Sequence, residues 1–336
     1  MIPLASTISL SQMGSFFVGG HARTTTGAPL AEYVFTPNGV SVCIDPNGMS
    51  IAGQMYVQYF VPAETVNRVP MAFWHGGSMT GATWETTPDG REGWLTQFLR
   101  QGWAVYNSDA VERGRAGWAP NHPPFSGPPI LRTAEDTFSQ FRIGRRVNQA
   151  LLDDMKTAAY PSCRFPLQAF DNLMKQVVPR WVSTDDLTLA AYIELLDKIG
   201  PVVLVAHSQG GAFAFRAAEA RPDKVAAIVA IEPAQGGTEG MHTKLIDTPV
   251  LVVYGDHLEL DDRWPQIRAR TERYLSELSR AGGTVEVIDL PDQGVVGNSH
   301  LLMMEDNNTE IAALIQQWLG RYVPVSLQQH AGGDTQ

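Results

Sequence analysis

The sequence predicts an α/β protein built on a mainly parallel central sheet with helices on both faces. Two observations carry that prediction. Short, β-branched apolar runs recur at residues 70–74, 104–108, 202–206, 225–231, 250–254 and 285–290. They are continuous rather than alternating, as strands buried on both faces require. Helix-like segments with recognisable stops lie between them, so strand and helix alternate along the chain. Size is a third observation: 336 residues, 44% of them hydrophobic and 18% charged, suffice for a large core.

Taken in order, residues 15–19 and 53–60 read as antiparallel strands, the second from the alternation Gln54-Met55-Tyr56-Val57-Gln58-Tyr59. A helix over 92–101 closes at Gly102, and one over 184–199 has Ser183 or Thr184 as N-cap and Gly200 as its stop. A helix over 209–220 ends before Arg221-Pro222, one over 264–280 at Gly282-Gly283, and one over 309–319 at Gly320.

One interval breaks the rhythm. Residues 110–200 separate two consecutive core strands, the fourth and fifth. A helical crossover between parallel strands needs only about 30 residues. The excess is assigned to an insertion over 111–183, rich in prolines (Pro120, Pro123, Pro124, Pro128, Pro129) and in large apolar residues such as Phe125, Phe138, Phe141, Phe165, Phe170 and Trp181. It reads as a cap lining a pocket, the alternative being a peripheral subdomain with its own small core. The expected organisation is a catalytic domain from 1–110 and 184–325, a cap at 111–183, and a flexible tail at 326–336.

Composition narrows the function classes. The formal charge is −10 and no Lys/Arg run forms a basic stripe, which argues against nucleic acid as a partner. No apolar stretch approaches the roughly 18 residues of a transmembrane helix. Met1–Gly20 lacks the basic start and cleavage pattern of an intact signal peptide, though a chain beginning after a removed signal would look the same. With Cys43 and Cys163 alone, a disulfide scaffold or a Cys-rich zinc site is excluded. The two are expected as buried thiols or as one bridge.

The chemistry concentrates around the run Pro201-Val-Val-Leu-Val-Ala206 followed by His207-Ser208-Gln209-Gly210-Gly211. This is the small-x-Ser-x-Gly pattern of a nucleophile elbow, with Ala206 in the first small position. A sharp strand-to-helix turn would lift Ser208 above the sheet, and neighbouring side chains must be small to permit it. The helix start beneath adds positive potential. Upstream, His75-Gly76-Gly77-Ser78 follows a buried strand and supplies the loop from which an oxyanion hole is made, with the amides of Gly77 and Gln209 as its donors. His75 reads as a loop-organising histidine.

Among eight histidines, His300 lies just after the last predicted strand and before the last helix, where a base would be presented. His21 is too early, His122 is in the insertion and His330 in the tail. His242 and His257 lack a strand-end position. Two carboxylates compete for the third role: Glu232, which ends the strand after the elbow helix and abuts Pro233, and Asp256, which follows the next strand and opens an acidic loop. A metal site in that loop is the lesser reading. Ser78, Trp84, His207, Phe125, Phe138 and Trp181 are the candidates for lining a substrate pocket, and their aromatic character leans toward an apolar or aromatic group. Arg113 and Arg115 are expected to fix a strand-end loop by ion pairs.

The order Ser208, acid, His300, together with the His-Gly-Gly loop, resembles the α/β-hydrolase family over roughly residues 15–322. Within it, the segment from Thr80 to Arg91, Glu112-Arg113-Gly114-Arg115 and Ile231-Glu232-Pro233 resemble a small group of bacterial carboxylesterases. The resemblance implies a glutamate as the triad acid after the sixth strand, which favours Glu232 over Asp256. One member has adjacent cysteines in the oxyanion loop; Gly77 and Ser78 occupy the matching positions, so no redox feature carries over. The group includes exported enzymes, which points to a periplasmic or secreted location. The function implied is cofactor-free hydrolysis of a small-molecule carboxylic ester through an acyl-enzyme, with no metal. The alternatives are an amidase, lactonase or perhydrolase using the same triad, or a non-catalytic binding protein on the same fold. A homodimer is left open.

Overall fold

The computed structural model describes residues 7–119, 123–125 and 127–323. The expectations for Pro120, His122, His330 and the tail at 326–336 fall outside the described residues.

The chain opens with β1 (Leu10–Thr25), a hairpin of β2 (Ala31–Val34) and β3 (Ser41–Ile44), then β4 (Gly48–Pro62) and β5 (Met71–Trp74). Helices α1 (Ala82–Glu85) and α2 (Trp94–Arg100) lead to β6 (Val105–Asp109). The insertion follows, with α3 (Ala134–Gln140), α4 (Leu152–Ala158) and α5 (Phe170–Met174). Then come α6 (Asp185–Ile199), β7 (Val202–His207), α7 (Gln209–Ala220), β8 (Val225–Ile231), β9 (Val250–Tyr254), α8 (Trp264–Arg280), β10 (Val285–Asp289) and α9 (Asn308–Tyr322).

Eight strands form one sheet in the order β1-β4-β6-β5-β7-β8-β9-β10. The β1–β4 and β4–β6 pairs are antiparallel, and every pair from β6 through β5, β7, β8 and β9 to β10 is parallel. Alternate side chains of each parallel strand feed opposite layers. Val203, Val205, Val229 and Ile231 join Phe98 of α2 and Trp318 of α9. Leu204, Ala206 and Ala230 join Tyr192 of α6, Phe213 of α7 and Tyr274 of α8. Burial on both faces is why these strands read as uninterrupted apolar runs.

Local expectations are refined at four places. β1 and β4 run well beyond 15–19 and 53–60, because each extends the other: Thr25 pairs with Gly48 and Leu10 with Pro62. The β2–β3 hairpin was not anticipated, although Glu32-Tyr33-Val34-Phe35 and Val40-Ser41-Val42-Cys43-Ile44 flank Pro37-Asn38-Gly39, a turn signature with Asn38 at φ 61°. Thr184 holds the N-cap position of α6 and Gly200 its C-cap, as expected, but the Thr184 hydroxyl donates to the Trp181 carbonyl instead of accepting from the helix, and the acids Asp185 and Asp186 occupy the first turn. Both cysteines are free. Cys43 is exposed on β3 while Cys163 is half-buried, its thiol pushed up to about 11 by burial, so neither the bridge nor two buried thiols is present.

The insertion does not carry a separate core. Phe138, Phe141, Phe165, Phe170 and Leu173 pack in the same cluster as the strands above, while Phe125 and Trp181 join the opposite layer. Its chain also bonds directly to the strand-end loops: the His300 amide donates to the Phe141 carbonyl at 2.8 Å and the Val178 amide to the Ser78 carbonyl at 2.9 Å. Among the described residues no helix is long and apolar enough to cross a membrane.

Candidate active site

The turn between β7 and α7 places Ser208 at φ 52°, ψ −115°, a conformation an L-residue holds only under constraint. The constraint is packing. A Cβ on Gly210 would lie 2.6 Å from the Trp74 carbonyl oxygen, and one on Gly76 would lie 2.6 Å from His207 Nδ1. Glycine at both positions lets the elbow and the upstream loop approach closely. The amides of Gly77 and Gln209 donate to no other group among the described residues, and both residues line one cavity with Ser208 and His300. That leaves two backbone N–H groups free beside the Ser208 side chain.

His300 is buried, and its Nδ1 lies 2.5 Å from Glu232 Oε2. Glu232 is fully buried at the end of β8; its other oxygen accepts from Gly255 N at 2.8 Å and from Arg142 Nη2 at 2.5 Å. Burial alone would raise the Glu232 pKa, but the Arg142 charge and the His300 contact outweigh it and hold it at about 2. Burial pushes His300 below its ordinary value although Glu232 pulls the other way, so the imidazole is neutral near pH 7 and its second nitrogen is available as a base. No hydrogen bond joins Ser208 Oγ to His300 among the described residues; such contacts often tighten only when substrate is present.

Asp256 is placed elsewhere. Its Oδ1 accepts from the His257 amide at 2.7 Å and its Oδ2 from the Gly297 amide at 2.9 Å, so it ties together the loops after β9 and β10. His75 accepts from the Ala110 amide through Nε2 at 3.0 Å and contacts the Gly76 carbonyl through Nδ1. Burial pushes its pKa down to about 4. The Arg113–Glu112 pair is buried, Glu112 also accepting from the Trp181 amide, and Arg115 binds Asp109.

The pocket expectation needs correction. The cavity, about 260 Å³, is lined by Ser78 but not by the other five candidates. Trp84 is fully buried between Phe73 and Trp94, at ring distances of 5.0 and 5.8 Å. Phe138 packs edge-on to Phe170, and Phe125 edge-on to Trp181. All four are spent on core contacts, because an aromatic side chain gains most where it is fully covered. His207 lies behind the site: its Nε2 donates to the His300 carbonyl at 2.9 Å and its ring packs 4.4 Å from the His300 ring.

In their place stand Arg132, Arg180, Arg263, Gln140, Phe141 and Trp264. The lining is therefore mixed: Phe141, Trp264, Ile267 and Ala234 give it an apolar part, and three guanidiniums that the aromatic reading did not include give it a cationic one. Arg142 was also missed. It reaches Glu232 across 90 positions of sequence, and no local pattern announces it. The same holds for Glu305, a buried carboxylate that accepts from the Ser299 amide at 2.6 Å and from Asn298 at 2.5 Å, shaping the loop that carries His300.

Comparison with known proteins identifies the fold. A family model described as the alpha/beta hydrolase fold matches residues 181–286, a span that includes Ser208 and Glu232. A solved structure described as a novel bacterial esterase superposes with a TM-score of 0.82 at 35% identity, covering 95% of this chain and 98% of that one. A probable secreted lipase, phiG, from a fungal species is 29% identical over 320 residues, 79% of this chain and 85% of that protein. The lipase LipV of Mycobacterium tuberculosis is 53% identical, but over 53 residues only, 15% of this chain and 20% of that one.

Proposed function

The chain belongs to the α/β-hydrolase family, and from that premise we propose that it is a carboxylic ester hydrolase acting through a Ser208–His300–Glu232 triad. The observation that carries the proposal is the convergence of four parts at the ends of the parallel strands: a strained, half-buried serine facing the cavity, a neutral histidine, a buried carboxylate bonded to that histidine, and two free amides. The names of the relatives, an esterase and two lipases, support ester bonds over amides or lactones.

In the forward step, Ser208 Oγ attacks the ester carbonyl carbon while His300 Nε2 takes its proton. The Nδ1–H of His300 donates to Glu232, which stabilises the imidazolium as it forms. The carbonyl oxygen becomes an oxyanion and accepts from the Gly77 and Gln209 amides, each worth about 3 kcal/mol in the transition state. His300 then passes its proton to the departing alcohol, leaving Ser208 acylated. Water, deprotonated by His300, attacks the acyl carbon, and as the intermediate collapses His300 returns that proton to Ser208 Oγ, releasing the acid and the free serine. No cofactor or metal enters these steps. A fluorophosphonate probe is expected to label Ser208 covalently; a protein that hydrolyses aryl esters yet resists the probe would overturn the assignment.

On this reading residues 111–183 act as a cap on one catalytic domain, 1–110 with 184–325, supported by the Phe141 and Arg142 contacts to the triad and by Arg132 and Arg180 in the cavity wall. Export fits the printed description of the fungal relative as secreted; fractionation that finds the native protein in the cytosol would remove that part.

The small-molecule ester is accompanied in this proposal by a second copy of the chain. The β2–β3 ribbon exposes Tyr33, Val34, Phe35 and Val40, each with more than half its surface in water. A two-stranded ribbon is marginal by itself, and an apolar surface of this kind marks a contact site. Sedimentation is expected to give a dimer that Val34→Lys with Phe35→Lys converts to monomer; a monomeric wild-type protein would refute it.

A further inference from the structure

The three arginines of the cavity come from separate parts of the chain, Arg132 and Arg180 from the insertion and Arg263 from the start of α8, and among the described residues no carboxylate lines the cavity with them. Two have acids of their own: Arg132 pairs with Asp136 at 2.6 Å and Arg263 with Asp261 at 3.1 Å. Arg180 differs. Its Nη1 donates to the Gln209 side-chain oxygen at 2.7 Å, and among the described residues it makes no ion pair. The same Gln209 oxygen receives Arg113 Nη2 at 3.5 Å, and the Gln209 amide nitrogen donates to Asp185 at 3.1 Å. One neutral oxygen is thus shared by two cations.

We propose that this cavity selects esters bearing a free carboxylate, and that Arg180 is the residue that binds it. The inference rests on the ester-hydrolase reading and adds the class of substrate. A guanidinium presents paired N–H donors in a plane that matches a carboxylate. Position fixes where the charge sits. A Cβ on Gly77 would lie 2.7 Å from Arg180 Nη1, so the guanidinium rests against the peptide that would hold the oxyanion, and the carboxylate must lie near the scissile carbonyl, as in a short hemiester. Burial, and then the neighbouring Arg113 charge, push the Arg180 pKa below its ordinary value; a bound anion relieves that cost. The chain as a whole carries −10, so an anionic substrate is drawn in only if the site itself is positive.

Two esters with the acid on the acyl or the alcohol side separate the sources of charge. Monomethyl glutarate is compared with methyl pentanoate, and O-butyryl glycolate with ethyl butyrate, each by kcat/KM. One charged ester is expected to be preferred by about 10- to 100-fold, the range of a charge-assisted contact. Arg180→Gln should abolish most of that preference, and Arg180→Lys should retain part of it, with thermal unfolding checking that each variant folds. Independently of turnover, glutarate is expected to bind Ser208→Ala and to lose about the same factor in the Ser208→Ala/Arg180→Gln double variant. Equal or better turnover of both neutral esters, or a preference that survives Arg180→Gln, overturns the proposal. Serine-dependent hydrolysis without charge preference leaves the ester reading intact and removes this one. Arg180-dependent glutarate binding with no ester cleaved removes the ester reading and supports charge selection.

Discussion

Replacing Ser208 by alanine is expected to reduce kcat for a short-chain aryl ester by about a million-fold while leaving the fold unchanged. The magnitude follows from the covalent step: without Oγ there is no acyl-enzyme, and His300 has no proton to take. The fold survives because Ser208 Oγ makes no hydrogen bond among the described residues. The positive φ of 52° is held by backbone bonds from the Ser208 amide to the Ile231 carbonyl at 3.0 Å, and from the Ala234 amide to the Ser208 carbonyl at 2.9 Å. Alanine makes the same bonds. Thermal unfolding alongside the rate measurement checks both halves. Turnover retained at wild-type level would remove Ser208 from the mechanism.

The second large effect separates the two acids. Glu232→Gln is expected to lower kcat by about 10⁴-fold, because an amide N–H₂ facing Nδ1 turns the imidazole to the wrong tautomer. The same change leaves the Arg142 guanidinium, 1% exposed, without its counter-charge. Breaking such a buried pair costs about 3–5 kcal/mol. Activity and stability should therefore fall together. The sign of the pH dependence is fixed as well. The Glu232 carboxyl is held down at about 2 in the folded protein, so the stability it contributes is present above its ordinary value and is lost as pH falls toward 2. Glu232→Gln should flatten that acid limb. Asp256→Asn, which weakens two backbone contacts between loops, should cost less than tenfold in kcat, a small loss of the kind expected for a residue outside the reacting groups. A larger loss from Asp256→Asn than from Glu232→Gln would reverse the assignment.

The interval at 111–183 shows where legibility stops. Its excess length over a plain crossover was visible, and so was its aromatic content. Its role was not. Phe138 and Phe125 look like pocket walls in a sequence because nothing local tells an aromatic facing a ligand from one facing Phe170 or Trp181. Arg142 and Arg180 look like solvated charges for the same reason, yet one is sealed against Glu232 and the other is aimed into the cavity. The hairpin is a different case. Its Pro-Asn-Gly turn between alternating segments is a local signal of the kind that specifies a hairpin without tertiary help.

By itself the sequence determined the parallel sheet, the elbow at Ser208, the glycine loop at Gly76-Gly77 and the strand-end position of His300. Each is written in a contiguous stretch, where a run of β-branched residues, a capped helix or a glycine pair constrains the backbone directly. The family resemblance already favoured Glu232 over Asp256, and the structure seats Glu232 against His300; only the tertiary structure decided that Arg142 neutralises it and that Arg132, Arg180 and Arg263 line the cavity. These are pairings between residues tens of positions apart. The free energy of a buried charge depends on which partner the packing brings to it, and the sequence order of the two does not specify that.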